Sequence, residues 1–131
     1  MIPKYRAWDS YHEKVVKVLS IDFEDKVAYV EQANGDRYDI HFDNLKFMQS
    51  TGLKDKNGVE IFEGYIIGSE NKDSETWYVS HHKVVWHDTG FKGKQLCSSS
   101  FIGLAHWTRG EKGYVVIGNI YENPELMEGK K

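Results

Sequence analysis

Alternation of apolar and polar residues predicts short β-strands in the first third of the chain. RYDIHF (Arg37–Phe42) places an aromatic or aliphatic residue at every second position, which is the period of a strand with one buried face. Lys26–Gln32 alternates in the same way, and Lys14–Phe23 is rich in β-branched residues, which favour strands over helices. Three strands are therefore predicted in this region.

Turn residues separate these segments and recur along the chain. Asn34–Gly35 lies between the second and third strands and predicts a hairpin, because both residues tolerate positive φ. The stretch 54–58 and the pair Glu63–Gly64 predict two more tight turns. The residues assigned to structural turns are Asn34, Gly35, Gly52, Asn57, Gly58, Gly64 and Gly118.

The remaining elements are predicted to be short as well. Asp43–Asn44 fits a single helical turn or a loop, Phe101–Trp107 fits a strand or a short helix, and Pro124 fits the first position of a helical turn. Turns are expected at Thr89–Gly93 and Gly110–Gly113. The further predicted strands are Val59–Phe62, Tyr65–Ile67, Thr76–Ser80, Lys83–His87 and Tyr114–Tyr121.

Many short strands without long βαβ units predict a mostly-β protein, either a barrel or a sandwich with at most short helices. The 131 residues, of which 40% are hydrophobic and 14% aromatic, suffice for one core. We expect a single domain over residues 1–126 and a flexible tail at 127–131.

Charge and cysteine content narrow the function classes. The net charge of −3 argues against broad, charge-driven nucleic-acid binding, although it leaves room for a local basic patch. Cys97 is the only cysteine, so no intrachain disulfide can form, and a partly buried small side chain is a simpler interpretation than a nucleophile. The N-terminus lacks an apolar signal region, and a cytoplasmic protein is expected.

Three motifs resemble one family. YRAWD (Tyr5–Asp9), MQSTGLKDKNGVEIFEG (Met48–Gly64) and VIGNIYENPEL (Val116–Leu126) together resemble the YopX-like proteins of bacteriophages and prophages. The resemblance implies a phage or prophage origin and a mostly-β fold of coiled, bent antiparallel sheets with a small barrel-like (SH3-like) part. It implies no reaction, and no catalytic residue can be carried over from it.

One position departs from the family pattern. YopX-like proteins usually read Glu-Gly-Asp before an apolar pair, and this chain has Tyr65 in place of the aspartate. An aspartate can cap the turn through its side-chain oxygen, and a tyrosine cannot do so in the same way. Either the turn is held otherwise, or Tyr65 adds an aromatic contact at the surface.

The segment HHKVVWH is the only local cluster that resembles a metal site. On one strand His81 and His87 share a face but lie roughly 20 Å apart, and His82 points away. Surface imidazoles flanking a core strand are therefore the better interpretation, and no metal or cofactor is predicted. Patterns that pair a nucleophile with a base are missing from the sequence, so an enzyme is not expected.

Aromatic and basic residues offer a possible binding surface. Trp77, Tyr78, Trp86, Phe91 and Trp107 could stack single-stranded nucleic acid beside Lys83, Lys92, Lys94 and Arg109. The alternative, which the acidic net charge favours, is that these rings form the core of a small β domain. The candidate binding residues are Tyr65, Trp77, Lys83, Trp86, Trp107 and Arg109.

The favoured function is that of an accessory phage protein that binds another protein of the host or phage, with self-association through sheet edges as a further expectation. The alternative is a small β-barrel that binds nucleic acid, and an enzyme is the least favoured reading.

Overall fold

The computed structural model describes residues 4–72, 77–109 and 113–128, and these are mostly β, as predicted. The chain divides into two compact units, Met1–Ser50 (unit 1) and Thr51–Lys131 (unit 2), and each is described by itself. The single domain expected over residues 1–126 stays a prediction. Within the expected tail, residues 127 and 128 complete a 3-10 turn that begins at Pro124, and the rest lies outside the described residues.

The strands in the described ranges are β1 (Tyr5–Asp9), β2 (Lys14–Asp22), β3 (Val27–Glu31), β4 (Arg37–His41), β5 (Leu45–Lys54), β6 (Glu60–Phe62), β7 (Tyr65–Gly68), β8 (His82–His87), β9 (Gly90–Gln95), β10 (Phe101–Gly103) and β11 (Val115–Asn119). One short helix, α1 (Leu104–Thr108), follows β10. Three 3-10 turns lie at Phe42–Asn44, Tyr78–Ser80 and Pro124–Glu128.

The strands form two antiparallel sheets. Their orders are β4-β3-β2-β1-β5-β6 and β10-β9-β8-β7-β11. The first and last strands of each sheet do not pair with each other, so within the described residues neither sheet closes into a barrel. The mostly-β class and the antiparallel sheets are confirmed, and the described residues form no closed barrel.

Unit 1 is built on the alternation seen in the sequence. The β3–β4 hairpin forms as predicted, with Val30 opposite Tyr38, and Val30 is fully buried. Of the turn pair Asn34–Gly35, only Gly35 has positive φ (93°), and the Asn34 side chain accepts a hydrogen bond from the backbone N–H of Asp36. The core of this unit consists of Ala7, Val16, Ala28, Val30, Ile40 and Leu45.

The YRAWD motif forms β1, an interior strand between β2 and β5 that the sequence analysis did not predict. Asp9, at its end, is fully buried and organises the following turn. Its Oδ1 accepts hydrogen bonds from the backbone N–H groups of Tyr11 and His12 at 2.9 and 3.0 Å. Its Oδ2 lies 2.6 Å from both His12 Nδ1 and the hydroxyl of Tyr38 on β4.

These contacts set the charge state of Asp9. Burial raises the pKa of its carboxyl, and the hydrogen bonds from Tyr38 and His12 outweigh burial, so the pKa lies below its usual value. The aspartate of YRAWD therefore has a structural role, because it joins the β1–β2 turn to β4.

Unit 2 buries a set of residues from β6, β7, β8, α1 and β11, namely Ile61, Phe62, Ile66, Ile67, Val84, Leu104 and Val115. Tyr65 belongs with them, since it is only 6% exposed and packs against Phe62 with ring centroids 5.6 Å apart. Of the two alternatives for Tyr65, the structure therefore excludes an aromatic contact at the surface and supports a turn that is held otherwise. The turn before it is held by backbone bonds, from Gly64 N–H to Val84 O and from Ile120 N–H to Gly64 O.

Asp55 holds the turn of the central motif through its side chain. Its buried carboxylate accepts backbone N–H bonds from Asn57 and Val59 on Oδ1 at 2.9 and 3.0 Å. Oδ2 accepts a third, at 2.9 Å, from the N–H of Val116 on β11. Gly58 has φ of 82°, whereas Asn57 does not enter the left-handed region. This turn is thus joined by one carboxylate to the last strand.

Asn119 organises the C-terminal motif in the same way. Its Oδ1 accepts the N–H groups of Tyr121 and Glu122, both at 2.9 Å. Gly118 lies within β11 rather than in a turn, and a Cβ there would stand 2.5 Å from Oδ1 of Asn123, which accepts the Asn119 N–H. Glycine is needed here for close approach.

Several boundaries differ from prediction. Residues 78–80 form a 3-10 turn instead of a strand, because the Ser80 hydroxyl donates to Trp77 O and accepts the N–H of Ser69. Strand β9 already begins at Gly90, because Asp88, at φ of 63°, completes a tighter turn than expected. Gly52 has positive φ inside β5. Residues 110–112 of the predicted Gly110–Gly113 turn lie outside the described part.

The Asp55 contacts predict the effect of a nearly isosteric change. In Asp55→Asn, one oxygen can still accept two N–H groups, but an amide NH₂ then faces the Val116 N–H. One buried donor loses its acceptor, which should lower the free energy of unfolding by about 1–3 kcal/mol. Urea denaturation of this variant beside Asp25→Asn, an exposed aspartate, measures the effect. Equal stability of the two variants would contradict the assignment.

Candidate functional site

The regular pairing of β8, β9 and β10 determines which side chains share a face of the second sheet. His82 pairs with Gln95 at one end of the β8–β9 ladder and His87 pairs with Gly90 at the other, without a register shift. On β10, Phe101 lies opposite Lys94 and Gly103 lies opposite Lys92. Directly opposite residues project to the same side of a sheet. One face therefore carries Lys83, His87, Lys92, Lys94 and Phe101, which we call the lysine face.

The three lysines of this face are not neutralised. Lys83 and Lys94 are directly opposite each other. Lys92 precedes Lys94 by two residues on β9, so it projects to the same side of the sheet. Among the described residues, none of these three lysines forms an ion pair with a carboxylate. Like charges directly across two strands destabilise a sheet, so this arrangement costs stability.

Two rings lie among the lysines. His87 and Phe101 stack nearly parallel, with centroids 4.1 Å apart and planes 17° from each other. The register places Lys92 between them, on the intervening strand. Phe101 remains 37% exposed despite this stack, and a side chain at neighbouring Gly103 would meet no atom within 4 Å. The face therefore offers an accessible ring next to unpaired cations.

Trp86, a predicted partner of Lys83, lies on the opposite face. It is 56% exposed and makes an edge-to-face contact with Phe91, with ring centroids 4.9 Å apart. Gly93 is on the same side, and a Cβ there would stand 2.9 Å from Cγ1 of Ile102. The structure therefore separates Trp86 from Lys83.

Trp107 also packs on the side of the sheet opposite the lysine face. Trp107, 43% exposed, stacks on Tyr114 at 5.5 Å, and Tyr114 stacks on buried His82 at 5.6 Å. His82 alternates with Lys83 along β8 and so belongs to the opposite side. Trp77 is partly buried against His81, with ring centroids 4.3 Å apart.

Of the six candidate binding residues, only Lys83 belongs to the lysine face. Arg109 is exposed and follows α1. Lys92 and Lys94 were predicted as sources of charge, whereas Phe101 and His87 were not predicted as parts of a binding surface. The signal that could have found the face is the spacing of two in Lys92–Lys94, together with the same parity of Lys83 and His87 on a predicted strand.

The prediction that the clustered histidines are surface imidazoles is wrong for two of the three. His81 is 1% exposed, and neither ring nitrogen has a hydrogen-bond partner among the described residues, although the backbone of Leu126 approaches the ring. His82 is also buried and donates from Nδ1 to Ser80 O at 2.7 Å. Burial lowers the pKa of both rings, because it penalises the charged form.

The described residues contain no group of three or more His, Cys, Asp or Glu side chains that could hold a metal ion. A surface cleft of about 210 Å³ in unit 1 is lined partly by Arg6, Lys17, Glu31 and Gln32, and Glu31 is already paired with Arg37 at 2.7 Å. In the part of the chain that the structure describes, no helix is long and apolar enough to cross a membrane.

Comparison with known proteins identifies the family. The family described as YopX protein matches residues 4–128, nearly the whole chain. The crystal structure of protein EF1440 from Enterococcus faecalis is similar at 32% identity and a TM-score of 0.64, covering 97% of this chain and 99% of that one. The search of curated proteins found no match. The chain belongs to the YopX family, and the resemblance seen in its three motifs is confirmed.

The uncompensated lysines predict a gain of stability when one is neutralised. Lys94→Gln removes the charge opposite Lys83, so the free energy of unfolding should rise by roughly 0.2–1 kcal/mol at low ionic strength. The gain should shrink in salt, which screens exposed charges. Lys54→Gln, an exposed lysine of β5, is the matched control in urea denaturation. A destabilised Lys94→Gln protein would contradict the repulsion.

The buried histidines predict acid sensitivity in a defined range. The pKa values of His81 and His82 are lowered from 6.5, so below pH 6.5 the unfolded chain binds more protons than the folded one. Above pH 6.5 these two groups should therefore leave the free energy of unfolding unchanged. Below pH 6.5 they should lower it progressively as the pH falls. The pKa of Asp9 is lowered from 3.8, so the stability that its carboxylate contributes is lost only at still lower pH.

Urea denaturation between pH 8 and pH 5 tests this range. His81→Leu should reduce the loss of stability, because one of the two buried imidazoles is gone. His106→Leu, which replaces an exposed histidine outside this buried pair, is the matched control for the substitution itself. Identical pH profiles for His81→Leu and the natural protein would contradict the role of His81.

Proposed function

We propose that this YopX-family protein is a binding protein that docks a polyanionic macromolecule on its lysine face. The single observation that supports the proposal is the set of three adjacent lysines without a described carboxylate partner. A sheet that keeps like charges side by side sacrifices stability, and such a sacrifice is typical of functional surfaces. A bound polyanion would remove the repulsion.

The proposal makes the protein a non-enzymatic accessory factor, in line with the sequence analysis. The buried polar clusters at Asp9, Asp55 and Asn119 support this view, because their acceptors serve backbone N–H groups of turns. A phage or prophage role in the bacterial cytoplasm and self-association stay predictions. The protein partner favoured by the sequence would have to present an acidic surface to this face.

Heparin affinity chromatography tests the proposal with a polyanion that is neither protein nor nucleic acid. We expect the natural protein to be retained at low salt despite its net charge of −3, because the lysine face is locally positive. The triple variant Lys83→Gln, Lys92→Gln, Lys94→Gln should pass through unretained.

The matched control is the triple variant Lys14→Gln, Lys46→Gln, Lys54→Gln, whose three lysines are all exposed and lie outside the lysine face. Both variants lose three positive charges, so their net charge changes equally, from −3 to −6. Retention should survive in the control. Equal elution of the two triple variants, or no retention of the natural protein, would overturn the proposal.

A further inference from the structure

We infer that the occupant of the lysine face is single-stranded nucleic acid, with its phosphates on Lys83, Lys92 and Lys94 and one base on the ring of Phe101. The inference rests on the proposed function and names its partner. It follows from the spacing of the charges, from the accessible ring opposite Lys94, and from the arrangement of the strands that carry both.

The spacing of the charges favours a nucleic-acid strand over an acidic protein. Lys83 and Lys94 are cross-strand neighbours, about 5 Å apart at Cβ, and Lys92 and Lys94 are about 7 Å apart along β9. A partner neutralises three cations this close best when it carries anions at a similar spacing. A folded protein can place three carboxylates together only against their own repulsion, whereas a nucleic acid carries one phosphate at every nucleotide.

The ring supplies the second half of the recognition. Phe101 is stacked on one side by His87, which holds its orientation, and is still 37% exposed. Bases present flat π-faces that stack on aromatic side chains whatever their sequence. A carboxylate-rich protein surface would gain little from this ring, so its position directly opposite Lys94 is explained by a base and not by charge alone.

The need for an exposed base also selects the single strand. In a duplex the base faces are stacked within the helix and are not available to a side chain on a sheet. Gly103 keeps open the space beside Lys92, since no atom lies within 4 Å of where its side chain would be. A flexible strand can cross β10 at that position and place successive phosphates over β9 and β8.

Fluorescence anisotropy with a labelled 12-nucleotide oligo(dT) tests the inference on the full chain. We expect binding whose logarithmic salt slope is about −2, because three lysines each release counterions from a single strand. Lys92→Gln should reduce the magnitude of that slope by about 0.7. Phe101→Ala should weaken binding about tenfold with no change of slope, because it removes stacking and not charge.

Trp86→Ala is the matched control for the ring, since Trp86 is a more exposed aromatic residue on the opposite face. It should bind oligo(dT) like the natural protein. Phe101→Leu, which keeps an apolar side chain of similar size, guards against misfolding of the alanine variant, and its melting temperature is measured alongside. Loss of affinity in Phe101→Leu without a change in melting temperature supports stacking.

Three competitors separate this inference from the proposed function. Unlabelled oligo(dT) should displace the probe at lower concentration than either duplex DNA of equal length or poly-L-glutamate. Tighter binding of poly-L-glutamate would assign the face to an acidic protein and overturn the inference, and tighter binding of duplex would overturn the role of Phe101. If heparin retention depends on the three lysines but oligo(dT) does not bind, the inference fails and the proposed function survives.

Discussion

Short strands joined by tight turns leave many backbone N–H groups without a ladder partner, and buried N–H groups must be hydrogen-bonded. Among the described residues, three buried side chains meet this constraint, because Asp9, Asp55 and Asn119 each accept two or more backbone N–H groups. They are placed one in each of the three motifs that mark the family. Each of the three motifs therefore contains a turn that is held by a buried side-chain acceptor, and these three acceptors have a structural role.

A function for the chain must accordingly be sought outside these motifs. The lysine face lies on β8, β9 and β10, in the stretch between the central and C-terminal motifs. Its side chains do not satisfy the backbone, and Lys83 and Lys94 oppose each other's charge. The contrast between fully used acceptors in the motifs and unused cations on this face is the physical basis of the proposed polyanion binding.

Local patterns allowed much of the fold to be predicted, but not the site. The β3–β4 hairpin follows from alternation around Asn34–Gly35, and both signals lie within 15 residues. Strand β1 was missed because its neighbours β2 and β5 provide the context that makes YRAWD an interior strand. The stack of His87 on Phe101 depends on the register of three strands, which no short window of sequence contains. Burial of Tyr65 was not predicted, because the turn before it is held by Val84 and Ile120, which are remote from Gly64 in sequence.

The central claim is that the lysine face, and no other surface, receives a nucleic-acid strand. The most direct test is an NMR titration of the ¹⁵N-labelled protein with oligo(dT), in which the chemical shift of each backbone amide is measured. Every residue except proline has its own amide signal, so the shifts show which strands are in contact. The account predicts that the largest shifts fall on β8, β9 and β10, centred on Lys83, Lys92, Lys94 and Phe101. Shifts concentrated in unit 1 or around Trp107, or no shifts at low salt, would contradict it.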